Sequence, residues 1–139
     1  MSSRAVADTG PLVAIVRARE KAHKKCVAAL KTLRTPLLTC WPVLTEAAWL
    51  LRRQYRPLDF VAEAQAAGMF DLLSLDISSL PAIAAIMRRY EDAGIQLADA
   101  ALAYLAEREN IRTVFTLDRR DFTIYRTTDG HALAIIPEP

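Results

Sequence analysis

Residues 97–116 decide the fold and read LADAALAYLAERENIRTVFT. The first thirteen, Leu97 to Glu109, place apolar side chains at helical spacing and predict an amphipathic helix. Residues 113–116 are Thr-Val-Phe-Thr, and such β-branched and aromatic side chains are typical of a buried strand. A helix of this length followed closely by a buried strand is the repeating unit of a parallel sheet covered by helices.

The same alternation continues through the rest of the chain. The pattern predicts further strands at Ala5–Ala7, Leu37–Cys40, Leu72–Leu75 and Ala132–Ile136. It predicts helices at Lys21–Leu33, Pro42–Arg53, Leu58–Ala67 and from Ser78 or Ser79 to Tyr90, with a turn at Thr9–Pro11. We therefore expect an α/β fold, a three-layer α/β/α sandwich with a central parallel sheet of four to five strands, in one domain over residues 1–139.

The composition is that of a folded chain. Of the 139 residues 53% are hydrophobic and the formal net charge is +2, which excludes disorder as the general state. The longest apolar run, Leu80–Met87, is too short to span a membrane, and the N-terminal residues do not read as an export signal. Cys26 and Cys40 lack the number and spacing of a disulfide framework or a zinc site. We therefore expect a protein of the reducing cytoplasm with no membrane partner.

Four acidic residues stand out because their neighbours are apolar. Asp8 follows the first strand, Asp118 follows the strand at Thr113–Thr116, and Glu46 and Asp99 lie in predicted first turns of helices. Since ligands collect at the carboxyl ends of parallel strands, we expect all four to meet at one edge of the sheet. Carboxylates crowded in this way raise one another's pKa unless a cation compensates. Oxygen ligands without nearby Cys or His favour Mg²⁺ or Mn²⁺ over zinc.

Each acid also has an ordinary structural explanation. Asp99 and Glu46 can each serve as a partner for a helix dipole, and Asp8 can be a turn residue. Asp118 can cap a short turn at Arg119–Phe122. The four together, at equivalent ends of one sheet, favour a shared metal site.

Four segments in this order resemble the PIN-domain ribonucleases, and in particular the VapC-type toxins of bacterial toxin–antitoxin pairs. The segments are residues 5–12 (AVADTGPL), 44–47 (LTEA), 97–103 (LADAALA) and 116–122 (TLDRRDF). No one of these motifs is specific by itself, but the ordered set spans nearly the whole chain. The resemblance implies a Mg²⁺- or Mn²⁺-dependent endoribonuclease with Asp8, Glu46, Asp99 and Asp118 as its carboxylate cluster.

The resemblance also implies roles for neighbouring residues and for partners. Asp8 and Asp99 would be the most direct metal ligands, and Thr116 and Thr9 would orient the carboxylates by hydrogen bonds. Asp121 is either a further acid of the cluster or a partner of Arg119 or Arg120, and Asp92 resembles an acid seen in one subgroup. Such toxins are commonly homodimers held inactive by a cognate antitoxin, which would contact the apolar helix at Glu46–Leu51 and the helix at Leu58–Ala67.

Phosphodiester hydrolysis by metal-activated water gives a 5′-phosphate and a 3′-hydroxyl and needs no general-base histidine. We accordingly expect His23 and His131 to be surface residues. Residues 1–60 contain 11 Lys and Arg against 4 Asp and Glu, a balance compatible with contact to an RNA backbone. Trp41, Trp49 and Tyr55 could offer faces for base stacking, although for the tryptophans core packing or a protein interface is favoured.

Two other classes of protein share part of this sequence pattern. The alternative to the enzyme is a non-catalytic PIN-like scaffold that binds RNA or protein, and it is disfavoured because all four acids are present. A phospho-acceptor signalling module also gathers acids at strand ends, but it would need a lysine late in the chain, and no lysine follows Lys31.

Overall fold

The computed structural model describes residues 3–53 and 56–139, and this part of the chain forms a five-stranded parallel sheet with helices. The strands are β1 Ser3–Ala7, β2 Leu33–Thr39, β3 Phe70–Leu72, β4 Thr113–Phe115 and β5 Ala134–Ile136. The helices are α1 Thr9–Val16, α2 His23–Leu30, α3 Trp41–Leu50, α4 Pro57–Ala66, α5 Leu80–Arg89, α6 Leu97–Arg108 and α7 Arg119–Ile124. Short 3₁₀ turns lie at Ile77–Ser79 and Glu91–Ala93. The predicted α/β fold is confirmed.

The strand order β3-β2-β1-β4-β5 creates a switch point between β1 and β4. The chain runs outward from β1 through β2 to β3, returns to β4 beside β1, and then runs outward in the other direction to β5. The two neighbouring strands pair in register, Val6 with Val114 and Ala7 with Phe115. In sheets of this kind ligands bind in the crevice beyond the carboxyl ends of two such strands, which here lies beyond Ala7 and Phe115.

Helix α6 is the central helix of the core. Eight of its twelve residues are buried, and four of them are alanines that are completely covered, Ala100, Ala101, Ala103 and Ala106. The small side chains allow α6 to pack closely on β1, α3 and α5. The first turn of this rigid helix begins at Leu97, so that its third residue, Asp99, is held at the edge of the core.

The predicted turn at Thr9–Pro11 is wrong, because these residues form the first turn of α1. Proline is tolerated there, since the first turn of a helix leaves its N–H groups without intrahelical partners. The predicted helix at Lys21–Leu33 is too long. Helix α2 ends at Leu30, the hydroxyl of Thr32 donates to the carbonyl of Ala29, and Leu33 is the first residue of β2.

Two further elements differ from the prediction. The third strand lies at Phe70–Leu72, two residues before the predicted start, since an apolar run does not by itself define the ends of a strand. Neither Ser78 nor Ser79 caps a helix with its side chain. Instead, Asp76 accepts the N–H of Ser78, and the Ser79 hydroxyl donates to the hydroxyl of Tyr104 at 3.2 Å.

Cys26 and Cys40 are both buried and unpaired with each other, as their spacing predicts. Burial raises the pKa of the Cys40 thiol to about 11, so this cysteine is a small apolar core residue. Among the described helices none has the length and apolar character needed to cross a membrane.

Candidate active site

Asp8 occupies the crevice at the switch point. It follows β1 directly, and its backbone N–H donates to the carbonyl of Phe115 at 2.9 Å, which fixes it beside β4. Its Oδ1 accepts the N–H of Thr9 at 2.7 Å and caps α1. Its Oδ2 accepts the hydroxyl of Thr116, also at 2.7 Å. The side chain is thus buried with both oxygens oriented by donors.

Thr116 connects Asp8 to Asp118. While its hydroxyl donates to Asp8, its oxygen accepts the backbone N–H of Asp118 at 2.9 Å. Asp118 in turn caps α7, accepting the N–H of Asp121 at 3.3 Å. The capping role that the sequence allowed for Asp118 therefore coexists with a place beside Asp8.

Thr9 makes the corresponding link to Glu46. Its hydroxyl donates to Glu46 Oε2 at 3.2 Å and also lies 3.4 Å from the carbonyl oxygen of Val43. Glu46 is exposed. It lies in the second turn of α3, not the predicted first turn, because α3 already begins at Trp41. A partnership with the dipole of that helix is therefore not its role.

Among the residues that the structure describes, Asp99, Asp118 and Asp121 form the closest group of three carboxylates. Each can offer one oxygen such that the three oxygens lie within 4.8 Å of one another. Asp99 is buried at the third position of α6 and accepts the N–H of Gln96 at 3.4 Å, while Asp118 and Asp121 lie nearer the surface. The donor set is entirely oxygen, and these three side chains fit a hard divalent cation.

The crowding of negative charge is visible in the pKa values. Burial raises the pKa of Asp99 to about 7, and the charge of Asp8 adds to the shift. Burial also raises the pKa of Asp8, against the opposing effect of the Thr116 hydroxyl. Burial and the neighbouring Asp118 raise the pKa of Asp121. A bound cation would reverse these shifts by compensating the charges.

The sequence left Asp121 between two roles, and the structure places it in the closest carboxylate group. Asp118 is the N-cap of α7, and Asp121 follows three residues later. Residues at this spacing are neighbours on a helix surface, so the two carboxylates lie on one face of α7. Arg119 instead donates to the carbonyl of Pro137 at 2.9 Å. The spacing Asp-x-x-Asp at a helix start is the signal that identifies this face. Asp92 lies in the exposed 3₁₀ turn Glu91–Ala93, outside that group.

The histidines have structural partners. Nδ1 of His23 lies 2.6 Å from the carbonyl oxygen of Ala14, and the ring is half-buried. His131 is exposed and pairs with Asp129 at 3.0 Å. Neither contact involves the four acids identified in the sequence.

Both tryptophans are exposed, so of the two predicted roles core packing is wrong and a protein interface stays a prediction. Trp41 is 60% exposed and Trp49 is 63% exposed. Trp41 lines an apolar groove of about 450 Å³ with Leu44, Leu58, Val61 and Phe70. Tyr55 lies outside the described residues.

Gly10 permits the close approach of α1 to the segment that carries Thr116 and Asp118. A Cβ atom at Gly10 would lie 3.2 Å from the Cβ of Leu117, tighter than ordinary van der Waals contact. The close packing of α1 against the segment around Leu117 therefore explains why residue 10 is a glycine.

Comparison with known proteins identifies relatives of this chain. Residues 5–128 match the family model of the PIN domain. The chain is 30% identical over 135 residues to ribonuclease VapC26 of Mycobacterium tuberculosis (strain ATCC 25618 / H37Rv), an alignment covering 95% of this chain and 99% of VapC26. The crystal structure of Mycobacterium tuberculosis VapC20, described as a sarcin-ricin loop cleaving toxin, superposes with a TM-score of 0.71 at 16% identity, covering 83% of this chain and 90% of VapC20.

The family-model match over residues 5–128 and the identity to a VapC ribonuclease define a protein of the PIN type. The chain belongs to the PIN domain family, and the resemblance read from its four segments is confirmed.

Proposed function

We propose that this protein is a Mg²⁺- or Mn²⁺-dependent endoribonuclease and the toxin of a type II toxin–antitoxin pair. The observation that carries the proposal is the joining of Asp8, Thr116 and Asp118 at the switch point, beside the group of Asp99, Asp118 and Asp121. The similarity to ribonuclease VapC26 over 95% of the chain supports the activity.

Some of these carboxylates would bind the cation directly, and others would add negative charge around it. Asp99, Asp118 and Asp121 would bind it, with Asp8, oriented by Thr116, as a further ligand beside them. Glu46 adds negative charge at the rim. When bound, the cation lowers the pKa of a water molecule and compensates charge on the scissile phosphate. Thr116 and Thr9 keep Asp8 and Glu46 oriented, so that little reorganisation is needed when substrate arrives.

Glu46 is the acid placed to act on water at the rim. Its side chain is exposed, and the Thr9 hydroxyl holds one of its oxygens in place. We assign to it the hydrogen bond that orients the attacking water toward phosphorus. Because water attacks rather than the ribose 2′-hydroxyl, the products are a 5′-phosphate and a 3′-hydroxyl.

The test is cleavage of total RNA by the purified protein, with the cut ends mapped by sequencing. We expect cleavage in Mg²⁺, loss of cleavage in EDTA, recovery in Mn²⁺, and 5′-phosphate ends. Asp99→Asn should abolish cleavage, whereas Glu63→Gln, which changes an exposed acid on α4, should not. An RNA-binding scaffold would bind the same RNA and leave it uncut in every buffer.

We further propose that the single domain acts in the cytoplasm as a homodimer, where a cognate antitoxin inhibits it. The free buried cysteines suit a reducing compartment. The groove between α3 and α4, lined by Trp41, Leu58 and Val61, offers the apolar surface for an antitoxin helix, with its tail reaching the acidic crevice. Co-expression with the neighbouring small gene product should suppress toxicity and yield a stable complex on size-exclusion chromatography. A complex that forms equally well with Leu58→Glu would contradict this surface.

A further inference from the structure

Trp49 is the exposed aromatic side chain nearest in sequence to a site carboxylate. On α3 the buried positions are Val43, Leu44 and Ala47, and Trp49 falls outside that face with 63% of its surface exposed. Tryptophan and arginine are enriched among the residues that contribute most to binding.

Arg52 holds a fixed position over the indole ring. Its guanidinium carbon lies 3.7 Å from the ring centroid, and its Nη1 donates to the carbonyl of Trp49 at 2.7 Å. The hydrogen bond to the backbone carbonyl restricts Arg52, and its guanidinium in turn restricts the indole ring before any ligand binds. The pair therefore presents a flat π surface together with a positive charge.

The pair lies one helical turn from the site. Glu46 and Trp49 are three residues apart on α3, so their Cβ atoms are separated by about 5–6 Å. The end of α3 is itself anchored, because Nη2 of Arg17 donates to the carbonyl of Leu50 at 3.0 Å. The hydroxyl of Thr9 holds the Glu46 side chain in place. The distance from Glu46 to Trp49 is therefore set by helix α3 itself.

We propose that Trp49, together with Arg52, is a stacking platform for one unpaired base of the RNA, next to the scissile phosphate. This inference rests on the proposed function and adds to it how the single strand is positioned. Base–aromatic stacking tolerates any base, and the arginine charge, together with the exposed Arg53, complements the phosphate backbone. The platform compensates for the poor attraction of RNA to a crevice lined by acids.

Trp41 provides a matched control on the same helix. Its exposure, 60%, is nearly that of Trp49, but it is five residues from Glu46, about 140° around the helix. It lines the apolar groove with Leu58 and Phe70 instead. The two tryptophans thus separate a general effect of exposed indole from an effect of position.

The test uses single-tryptophan proteins. Trp41→Phe retains only Trp49, and Trp49→Phe retains only Trp41. Each is titrated in EDTA, and again in Mg²⁺ in the Asp99→Asn background, with a single-stranded oligoadenylate RNA of about 12 nucleotides. Inorganic tripolyphosphate serves as the control with charge but no base. Anisotropy of labelled RNA reports binding independently of tryptophan fluorescence.

We expect the RNA to quench the fluorescence of Trp49 and not that of Trp41, and tripolyphosphate to quench neither. Trp49→Ala should weaken RNA binding roughly tenfold, and Trp41→Ala should leave it unchanged. Absence of binding, equal quenching of both residues, or quenching by tripolyphosphate would overturn the platform.

The outcomes also separate the platform from the enzyme. Cleavage by the wild-type protein without quenching of Trp49 would leave the proposed function intact and remove the platform. Quenching of Trp49 in Trp41→Phe, while the wild-type protein cuts no RNA, would retain the platform and remove the proposed activity.

Discussion

Thr116 donates its hydroxyl to Oδ2 of Asp8 at 2.7 Å, although 108 residues separate the two in the sequence. The bond joins the segments that follow β4 and β1, which are neighbours in the sheet. It also links the capping residue of α1 to the N-terminal segment of α7, because Thr116 accepts the N–H of Asp118. One hydroxyl therefore determines the relative position of two carboxylates of the site.

Replacing Thr116 with Val should lower RNA cleavage about 10- to 100-fold, because Asp8 loses the donor that orients it. Thr116→Ser keeps the hydroxyl and should retain most of the activity. The measurement is the initial rate on one RNA at saturating Mg²⁺, together with the Mn²⁺ dissociation constant. Thr39→Val is the matched control, since that buried hydroxyl donates to the carbonyl of Ala7 and not to a carboxylate. Equal loss of activity in the two variants would assign Thr116 a purely structural role.

The metal-free protein should become less stable as the pH rises from about 4 to about 7. Burial raises the pKa of Asp99 to about 7 in the folded state, so between these values the folded state binds more protons than the unfolded state. The stabilisation from the proton on Asp99 is fully present below the pKa of Asp99 in the unfolded state. It is lost as the pH rises through the pKa of Asp99 in the folded state. We expect a slope of up to about 1.4 kcal/mol per pH unit from this group. Urea denaturation in EDTA at several pH values measures it.

Asp99→Asn should make that slope shallower, leaving the part due to Asp8 and Asp121, and should stabilise the metal-free protein near pH 7. Glu63→Gln, an exposed acid on α4, should leave the slope unchanged. A slope of the same size in Asp99→Asn would show that the carboxylate is not the group responsible.

Asp121→Asn should weaken Mn²⁺ binding and slow RNA cleavage, because Asp121 shares the closest carboxylate group with Asp99 and Asp118. Titration calorimetry with Mn²⁺ provides the affinity. Asp92→Asn is the control, as Asp92 lies on an exposed turn outside the group. If Asp121→Asn bound Mn²⁺ with wild-type affinity, Asp121 would not be a ligand, and the alternative role as a partner of Arg119 or Arg120 would be favoured.

Gly10→Ala should lower activity severalfold by displacing the segment around Leu117. The new Cβ would lie 3.2 Å from the Cβ of Leu117, which cannot rotate away as a side-chain tip could. Overpacking of this size costs about 1 kcal/mol or more. Gly10→Val should be worse than Gly10→Ala in both thermal stability and cleavage rate. An alanine variant with wild-type melting temperature and wild-type rate would show that the close approach is unimportant.

The sequence predicted the fold well because its helices and strands alternate at clear periods. The strand at residues 113–116 and the helix at 97–109 agree with β4 and α6 to within one residue at each end. The errors fall where local signals compete. At Thr9–Pro11 the Gly-Pro pair favoured a turn, yet Asp8 caps a helix there. Leu33 fits the helical spacing of α2, but pairing with Ser3 places it in a strand.

The site was predictable in its acids and less so in its connections. Asp8, Asp99 and Asp118 lie at strand ends or helix starts, as expected, whereas Glu46 lies in the second turn of α3. Their roles stay predictions, and bonds such as Thr9 to Glu46 depend on how α1 packs on α3. The exposure of Trp49 could not be predicted either, because an apolar helix sequence does not show which side meets the core.

In the proposed enzyme the carboxylates of Asp99, Asp118 and Asp121 hold a divalent cation. The most direct test is a crystal grown in Mn²⁺ and measured at wavelengths above and below the manganese absorption edge. We predict an anomalous peak in the crevice about 2 Å from oxygens of Asp99 and Asp118, and its loss in Asp99→Asn. A crystal without a peak among these carboxylates, or with manganese bound elsewhere on the protein while RNA is still cleaved, would contradict the account.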